Sequence, residues 1–320
     1  MMLPLLLAAA TLAAPVPPRP VATYSIVARD AATGQLGVAV QSHWFSVGAR
    51  VPWAEAGVGA VATQSFTEPA YGPLGLALMK TGRTAPEALA ALVAGDSGRD
   101  VRQVGMVDAK GNVATHTGKM DIPEAGGQTG KGYAVQANLM EKATVWPAMA
   151  RAFEASAGDL AEKMLAALEA AEAEGGDIRG RQSAALLVVK GSASGRPWDD
   201  KVFDLRVEDH PQPLQELRRL VTLQRAYNYM EAGDLCVTSK DWPCAEREYG
   251  AAERLVPGHA EMAFWHAVAL ATNGRLEAAR PLFARAFAAD ARWRELVRRL
   301  PKVGQLPDDP KLIEQILAVR

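Results

Sequence analysis

The sequence predicts an α+β protein in two parts: a four-layer αββα sandwich, with helices outside two stacked sheets, and then an all-helical tail. Three observations predict it. Segments of small apolar residues alternate little between faces, as at Thr23–Arg29 and in residues 36–41 and 57–64, which suits sheets covered on both sides. Strands, two helices, strands, two helices and strands follow in that order, which suits helices on both outer faces of stacked sheets. After Pro211-Gln212-Pro213 every periodic segment is helical, and a pattern recurs there at a displacement of 34 residues.

The chain opens on an apolar run over residues 3–14, broken by Pro4 and Thr11 and ending in small residues at Ala13 and Ala14. The run is too short to span a bilayer but suits the core of an export signal, although no Lys or Arg precedes it. Pro15, Pro17, Pro18 and Pro20 make the next stretch an extended leader. No later stretch reaches membrane-spanning length. Residues 1–22 are therefore expected to be a signal peptide and leader, and the mature chain a secreted or periplasmic protein without a membrane span.

Thr23–Arg29 is β-rich, residues 30–34 supply turn chemistry with Gly34 free to take positive φ, and residues 36–41 return as a second strand. Residues 57–64 make a third strand. A helix is expected over residues 71–80. Thr84 and Glu87 then form a capping box for a second helix, whose buried stripe is Leu89, Leu92 and Val93 and which Gly95 stops. Residues 103–108 and 113–117 are paired strands around Lys110-Gly111-Asn112. Helices are expected over residues 143–154 and 160–174. Strands follow at residues 184–189 and 202–207, around a flexible loop at 191–195. The sandwich domain is thus read as residues 23–210.

Residues 214–320 are read as a tetratricopeptide-like helical domain. Ala245, Tyr249 and Ala252 recur as Ala279, Phe283 and Ala286, each 34 residues later. Gly233 and Pro257 fall where such a motif places them, whereas the second repeat has Ala267 and Ala291 there. Helices over residues 214–227 and from Trp293 onward are expected to cap so short an array. Cys236 falls late in the first helix of its repeat and Cys244 early in the second, facing each other near a short turn, which makes a disulfide geometrically possible.

Composition excludes some functions. The net charge is −1, from 35 basic and 36 acidic residues, so no electrostatic footprint for nucleic acid or an anionic membrane is present. Arg218-Arg219 and Arg298-Arg299 are read as solvated helix faces. No cysteine or histidine pattern has zinc spacing, and neither metal nor cofactor is expected. The run Gly126-Gly127-Gln128-Thr129-Gly130-Lys131-Gly132 lacks the spacing of a phosphate loop. No nucleophile-elbow motif of the G-x-S-x-G kind occurs.

A resemblance now emerges in the first two-thirds. The segments Thr23-Tyr24-Ser25-Ile26-Val27-Ala28-Arg29-Asp30, Gly37-Val38-Ala39-Val40-Gln41-Ser42, Val51-Pro52-Trp53-Ala54 and Gly57-Val58-Gly59-Ala60-Val61-Ala62-Thr63-Gln64 resemble the domain-of-unknown-function 1028 family. Tyr71-Gly72-Pro73, Arg102-Gln103-Val104-Gly105, His116-Thr117-Gly118, Gly176-Asp177-Ile178-Arg179-Gly180, Gln182-Ser183-Ala184-Ala185 and Asp209-His210 extend it. The resemblance implies a fold like that of the Ntn hydrolases, which cleave amide bonds with the side chain of an N-terminal Thr, Ser or Cys. The family itself has no assigned activity. Some relatives pair the domain with a peptidoglycan-binding segment, which implies cell-envelope substrates. The chain departs from the family pattern in its leader before Thr23, in His43 where a basic residue is commoner, and in Ala137 before Asn138 where Gly is usual.

Thr23 is the expected nucleophile, provided that processing after Ala22 frees its amine. An α-amine near pKa 8 can take the hydroxyl proton without a further base. Gln41, Ser42, Gln64 and Asn138, at strand ends or loops, are candidates for oxyanion or substrate contacts, joined by His43 and His116. No lysine occurs between Thr23 and Met79, so a lysine of the proteasome type has no counterpart on the early strands, and Arg50 is the cation nearest that position. Asp177 and Arg179 are read as a structural ion pair, and Asp209-His210 as a lesser candidate. Two functions are carried forward. One is an exported amidohydrolase acting on peptide or peptidoglycan-type amides. The other is a non-catalytic envelope scaffold whose helical repeats recruit a protein partner. Assembly with further copies of the chain stays open.

Overall fold

The computed structural model describes residues 23–320, and the expected signal peptide and leader lie outside them. The described chain divides into two compact units, one ending at Leu214 and the other beginning at Gln215.

The first unit opens with the expected hairpin, β1 (Thr23–Arg29) and β2 (Leu36–Ser42), and Gly34 in its turn has φ 74°. Three strands follow: β3 (Pro52–Glu55), β4 (Gly59–Ser65) and, after helices α1 (Tyr71–Lys80) and α2 (Ala85–Gly95), β5 (Arg102–Asp108). Thr84 caps α2 as its sequence proposes: its hydroxyl accepts from the Glu87 amide, and the Glu87 carboxylate accepts from the Thr84 amide. Then come β6 (Val113–Thr117), β7 (Gly126–Gly130), β8 (Tyr133–Asn138), α3 (Val145–Ala155), α4 (Leu160–Ala173), β9 (Ser183–Val189) and β10 (Lys201–Val207).

Three of these strands escape the sequence reading. β3 is four residues long and begins on a proline, which only an edge strand tolerates. β7 is glycine-rich because neighbours press on it: a Cβ on Gly126 would lie 2.6 Å from the Trp146 ring, and one on Gly127 2.9 Å from the Thr115 hydroxyl. β8 is wholly buried, and Gln136 and Asn138 disguise it as polar.

Antiparallel pairing arranges the strands in two sheets, one ordered β10-β9-β2-β1-β8-β7 and the other β3-β4-β5-β6. The first two strands are thus the centre of the larger sheet. Helices α3 and α4 pack on that sheet, α1 and α2 pack on the smaller one, and the sheets face each other. Alternation on each strand decides what goes where. Val27, Val38 and Val40 meet Ala60, Ala62 and Val107 between the sheets. Val61, Val104 and Met106 turn the other way, onto Tyr71, Leu76 and Leu89 of the first two helices.

The second unit is all-helical: α5 (Pro213–Thr238, which begins just before the division), α6 (Trp242–Leu255), α7 (Ala260–Thr272), α8 (Leu276–Ala289), α9 (Arg292–Arg299) and α10 (Pro310–Leu317). Both ends of α8 lie 34 residues after those of α6, and Tyr249 and Phe283 are both buried. Gly233 leaves room for an aromatic ring, since a Cβ there would meet Tyr249 at 2.5 Å. A disulfide joins Cys236 to Cys244 across the turn between α5 and α6, with the Cα atoms 5.7 Å apart. None of the described helices is long and apolar enough to cross a membrane.

Candidate functional site

Antiparallel pairing brings the polar candidates to one end of the sandwich. Thr23 opens β1 opposite Ser42, the last residue of β2, and opposite Asn138, the last of β8. In the other sheet Gln64 stands opposite Gln103, and Gln103 opposite Thr117. Period-two alternation points Thr23, Ser25, Ser42, Gln64, Gln103, Gln136 and Asn138 into the space between the sheets.

Thr23 is fully buried, and both its hydroxyl and its carbonyl bond polar side chains. Its hydroxyl donates to the Ser42 hydroxyl at 3.2 Å, and its carbonyl accepts from Gln64 Nε2 at 3.1 Å. Gln64 Nε2 also donates to Gln103 Oε1 at 2.7 Å, while its own Oε1 accepts from Ser25 at 2.6 Å. Asn138 Nδ2 donates to the same Gln103 oxygen at 2.9 Å. Gln103 Nε2 reaches the Thr117 hydroxyl and the Ala137 carbonyl, both at 2.9 Å. Gln103 is therefore the hub of the network, joining both sheets through side chains of four strands. Buried amides held in this way are fixed in orientation, since each lost contact would leave a desolvated polar group.

The remaining candidates separate by face. His43 follows Ser42 at the same end. Its amide donates to Asp177 Oδ2 at 2.9 Å, and its ring Nδ1 is buried with no hydrogen-bond partner among the described residues. Asp177 also grips Arg179 bidentately, Nε to Oδ1 at 3.1 Å and Nη2 to Oδ2 at 2.9 Å. That ion pair, expected from the sequence as structural, thus anchors the end of β2. Gln41 points the opposite way from Thr23, onto the helix-covered face, where its amide meets the Tyr24 hydroxyl and lies beside Glu172. Burial and the Glu172 carboxylate raise the Tyr24 phenol well above its ordinary range. His116 likewise turns outward, with Nε2 2.8 Å from the Arg99 carbonyl, so neither Gln41 nor His116 joins the Thr23 cluster. Asp209 accepts from Gln182 at 3.2 Å and His210 Nδ1 from the Gln212 amide at 3.0 Å, both local contacts. Arg50 is exposed.

Sequence reasoning missed two features here. Gln103, which the sequence places in a strand and in a family-like segment, is not among the expected site residues, although a glutamine opening an apolar strand is a signal. Next to Gln64, Ser65 takes φ 67°, a conformation rare for a residue with a side chain, and donates to Asp121 Oδ1 at 2.6 Å. Burial raises the Asp121 carboxyl to about 6, against the lowering pull of Ser65, the Gly118 amide and His116. Among the described residues no group of three or more His, Cys, Asp or Glu is placed to hold a metal ion.

Chemically, the cluster offers a hydroxyl on a central strand and an Asn138 amide that, among the described residues, commits one hydrogen to Gln103. The crystal structure of protein SPO2555 from Silicibacter pomeroyi, of the family DUF1028, superimposes with a TM-score of 0.56 at 31% identity, covering 62% of this chain and 88% of that one. No curated protein matches the chain. The model of a family of unknown function, DUF1028, matches residues 23–217, from the first residue of β1 into α5. With that match spanning most of the chain and a solved relative of the same family beside it, this chain belongs to the DUF1028 family.

Proposed function

We propose that this chain is an exported amide-bond hydrolase of the Ntn type, with Thr23 as its nucleophile. One observation carries the reading: the Thr23 hydroxyl, on the first residue of a central strand, lies 3.2 Å from Ser42 and its carbonyl accepts from Gln64, within a buried hydrogen-bond network of polar side chains. An ordinary buried strand threonine packs its methyl among apolar neighbours.

In this reading removal of residues 1–22 frees the Thr23 amine, which accepts the hydroxyl proton as Oγ attacks the substrate carbonyl. The Asn138 amide stabilises the oxyanion, and Ser42 and His43 border the substrate. The proton passes to the departing amine as the C–N bond breaks, leaving an ester on Thr23. Water then hydrolyses the ester and restores the hydroxyl. The substrate class is a peptide or peptidoglycan-type amide, and the compartment is the cell envelope or its exterior.

The test uses protein purified from its secreted fraction, with N-terminal sequencing first. A chain beginning at Thr23 that hydrolyses a panel of peptide and muropeptide amides, and a Thr23→Ala chain that does not, are the expected results. Full-length protein retained in the cytoplasm, or full turnover by Thr23→Ala, would overturn the reading.

A further inference from the structure

The helical unit contains an open cleft of about 620 Å³, in the size range of ligand sites. Asp234 and Thr238 of α5, Tyr249 of α6, Trp265 and Thr272 of α7, and Gln305 beyond α9 line it. Among the described residues that line it, Asp234 carries the one charge, and none is Lys, Arg or His.

The carboxylate of the exposed Asp234 is restrained by a hydrogen bond. Tyr249 donates its hydroxyl to Asp234 Oδ1 at 2.6 Å. Burial and this carboxylate raise the Tyr249 phenol far above its ordinary value, so it stays a donor throughout the physiological range. Thr238 turns its hydroxyl back to the Asp234 carbonyl at 3.0 Å and does not compete for the carboxylate. The disulfide at Cys236, two residues on, fixes this end of α5 against α6. Facing elements add what a bound group needs. Trp265 supplies aromatic surface, and Gln305 supplies an amide on the facing side.

A restrained carboxylate beside an indole, with no competing cation, selects positive charge. We propose that this cleft binds the cationic side chain of a peptide or protein partner, with Asp234 as counter-ion, Trp265 as the aromatic wall and Gln305 pairing with the peptide backbone. This site is separate from the hydrolytic reading and does not depend on it.

The experiment titrates full-length chain into a fluorescently labelled, terminally blocked Ala-Ala-Lys-Ala-Ala peptide and its Ala-Ala-Glu-Ala-Ala counterpart, read by anisotropy. The lysine peptide should bind saturably, at least tenfold more tightly than the glutamate peptide, and more weakly as salt is added. Asp234→Asn keeps an acceptor for Tyr249 and the shape of the wall, and should weaken lysine-peptide binding at least tenfold. Trp265→Leu should weaken it several-fold. Equal binding of the two peptides, absence of saturable binding up to millimolar protein, or an unchanged affinity in Asp234→Asn would each overturn the proposal.

Discussion

Thr23 owes its chemical interest to its neighbours more than to its position. Its hydroxyl and carbonyl both engage polar side chains, so the residue can be changed with modest structural damage. Thr23→Ala removes a methyl and the hydroxyl that bonds Ser42 from a buried site, which should cost about 1–2 kcal/mol in denaturant titration. It should also abolish amide cleavage, while Thr23→Ser should retain part of it. Asp121 is the other telling residue. Its folded-state carboxyl lies at about 6, above its ordinary 3.8, so the folded chain holds this proton more tightly than the unfolded chain does. The stability this group contributes is therefore present at low pH and falls as pH rises from about 4 to about 6, then stays level. The Ser65 hydroxyl, the Gly118 amide and His116 oppose the shift. Unfolding free energies measured from pH 4 to 7.5 should show that fall in the parent chain and a flatter profile in Asp121→Asn. Parallel profiles would show that burial does not shift this carboxyl.

At the scale of elements, what the sequence made legible were structures closed by local chemistry. The first hairpin, the Thr84 capping box and the 34-residue offset of α8 from α6 all follow from residues near one another in the chain. β7 and β8 were illegible for a physical reason. The glycines of β7 are required by Trp146 and Thr115, which sit elsewhere in the chain, and the polar residues of β8 are buried only because a second sheet supplies their partners. The Cys236–Cys244 bond belongs with the local features, since its two cysteines are separated by only 8 positions in sequence. By the loop-closure argument, its removal should cost the helical unit roughly 2–3 kcal/mol. Cys236→Ala/Cys244→Ala, or the parent chain under reductant, should therefore melt earlier than the oxidised parent. Equal melting temperatures would mean that α5 and α6 hold together through their apolar contacts alone.

Across the whole molecule the chemistry divides between the units. The Thr23 cluster is built from residues of the first unit and the Asp234 cleft from residues of the second. Within the first unit, the layer between the sheets changes character along its length. Valines and alanines fill one part, and the amide network around Gln103 fills the end that holds Thr23. The polar residues were visible in the sequence one by one, but their convergence depends on the order β2-β1-β8 in one sheet facing β4-β5-β6 in the other, which no local pattern encodes. Gln103 tests whether that network holds the sheets in place. Leucine would fill the volume of Gln103 but offer nothing to the Asn138 amide, and Gln64 would lose one of its partners. Each buried polar group left short costs about 1–3 kcal/mol, and the added apolar burial offsets part of that. Gln103→Leu should thus lose about 3 kcal/mol in denaturant titration. Because Gln64 also holds the Thr23 carbonyl, amide turnover should fall with it at temperatures where the chain remains folded. Binding at the Asp234 cleft should not change. A variant within about 0.5 kcal/mol of the parent, the usual scatter of a substitution away from special contacts, would show that the valine layer alone sets the sheets and that the amides serve only the chemistry at Thr23.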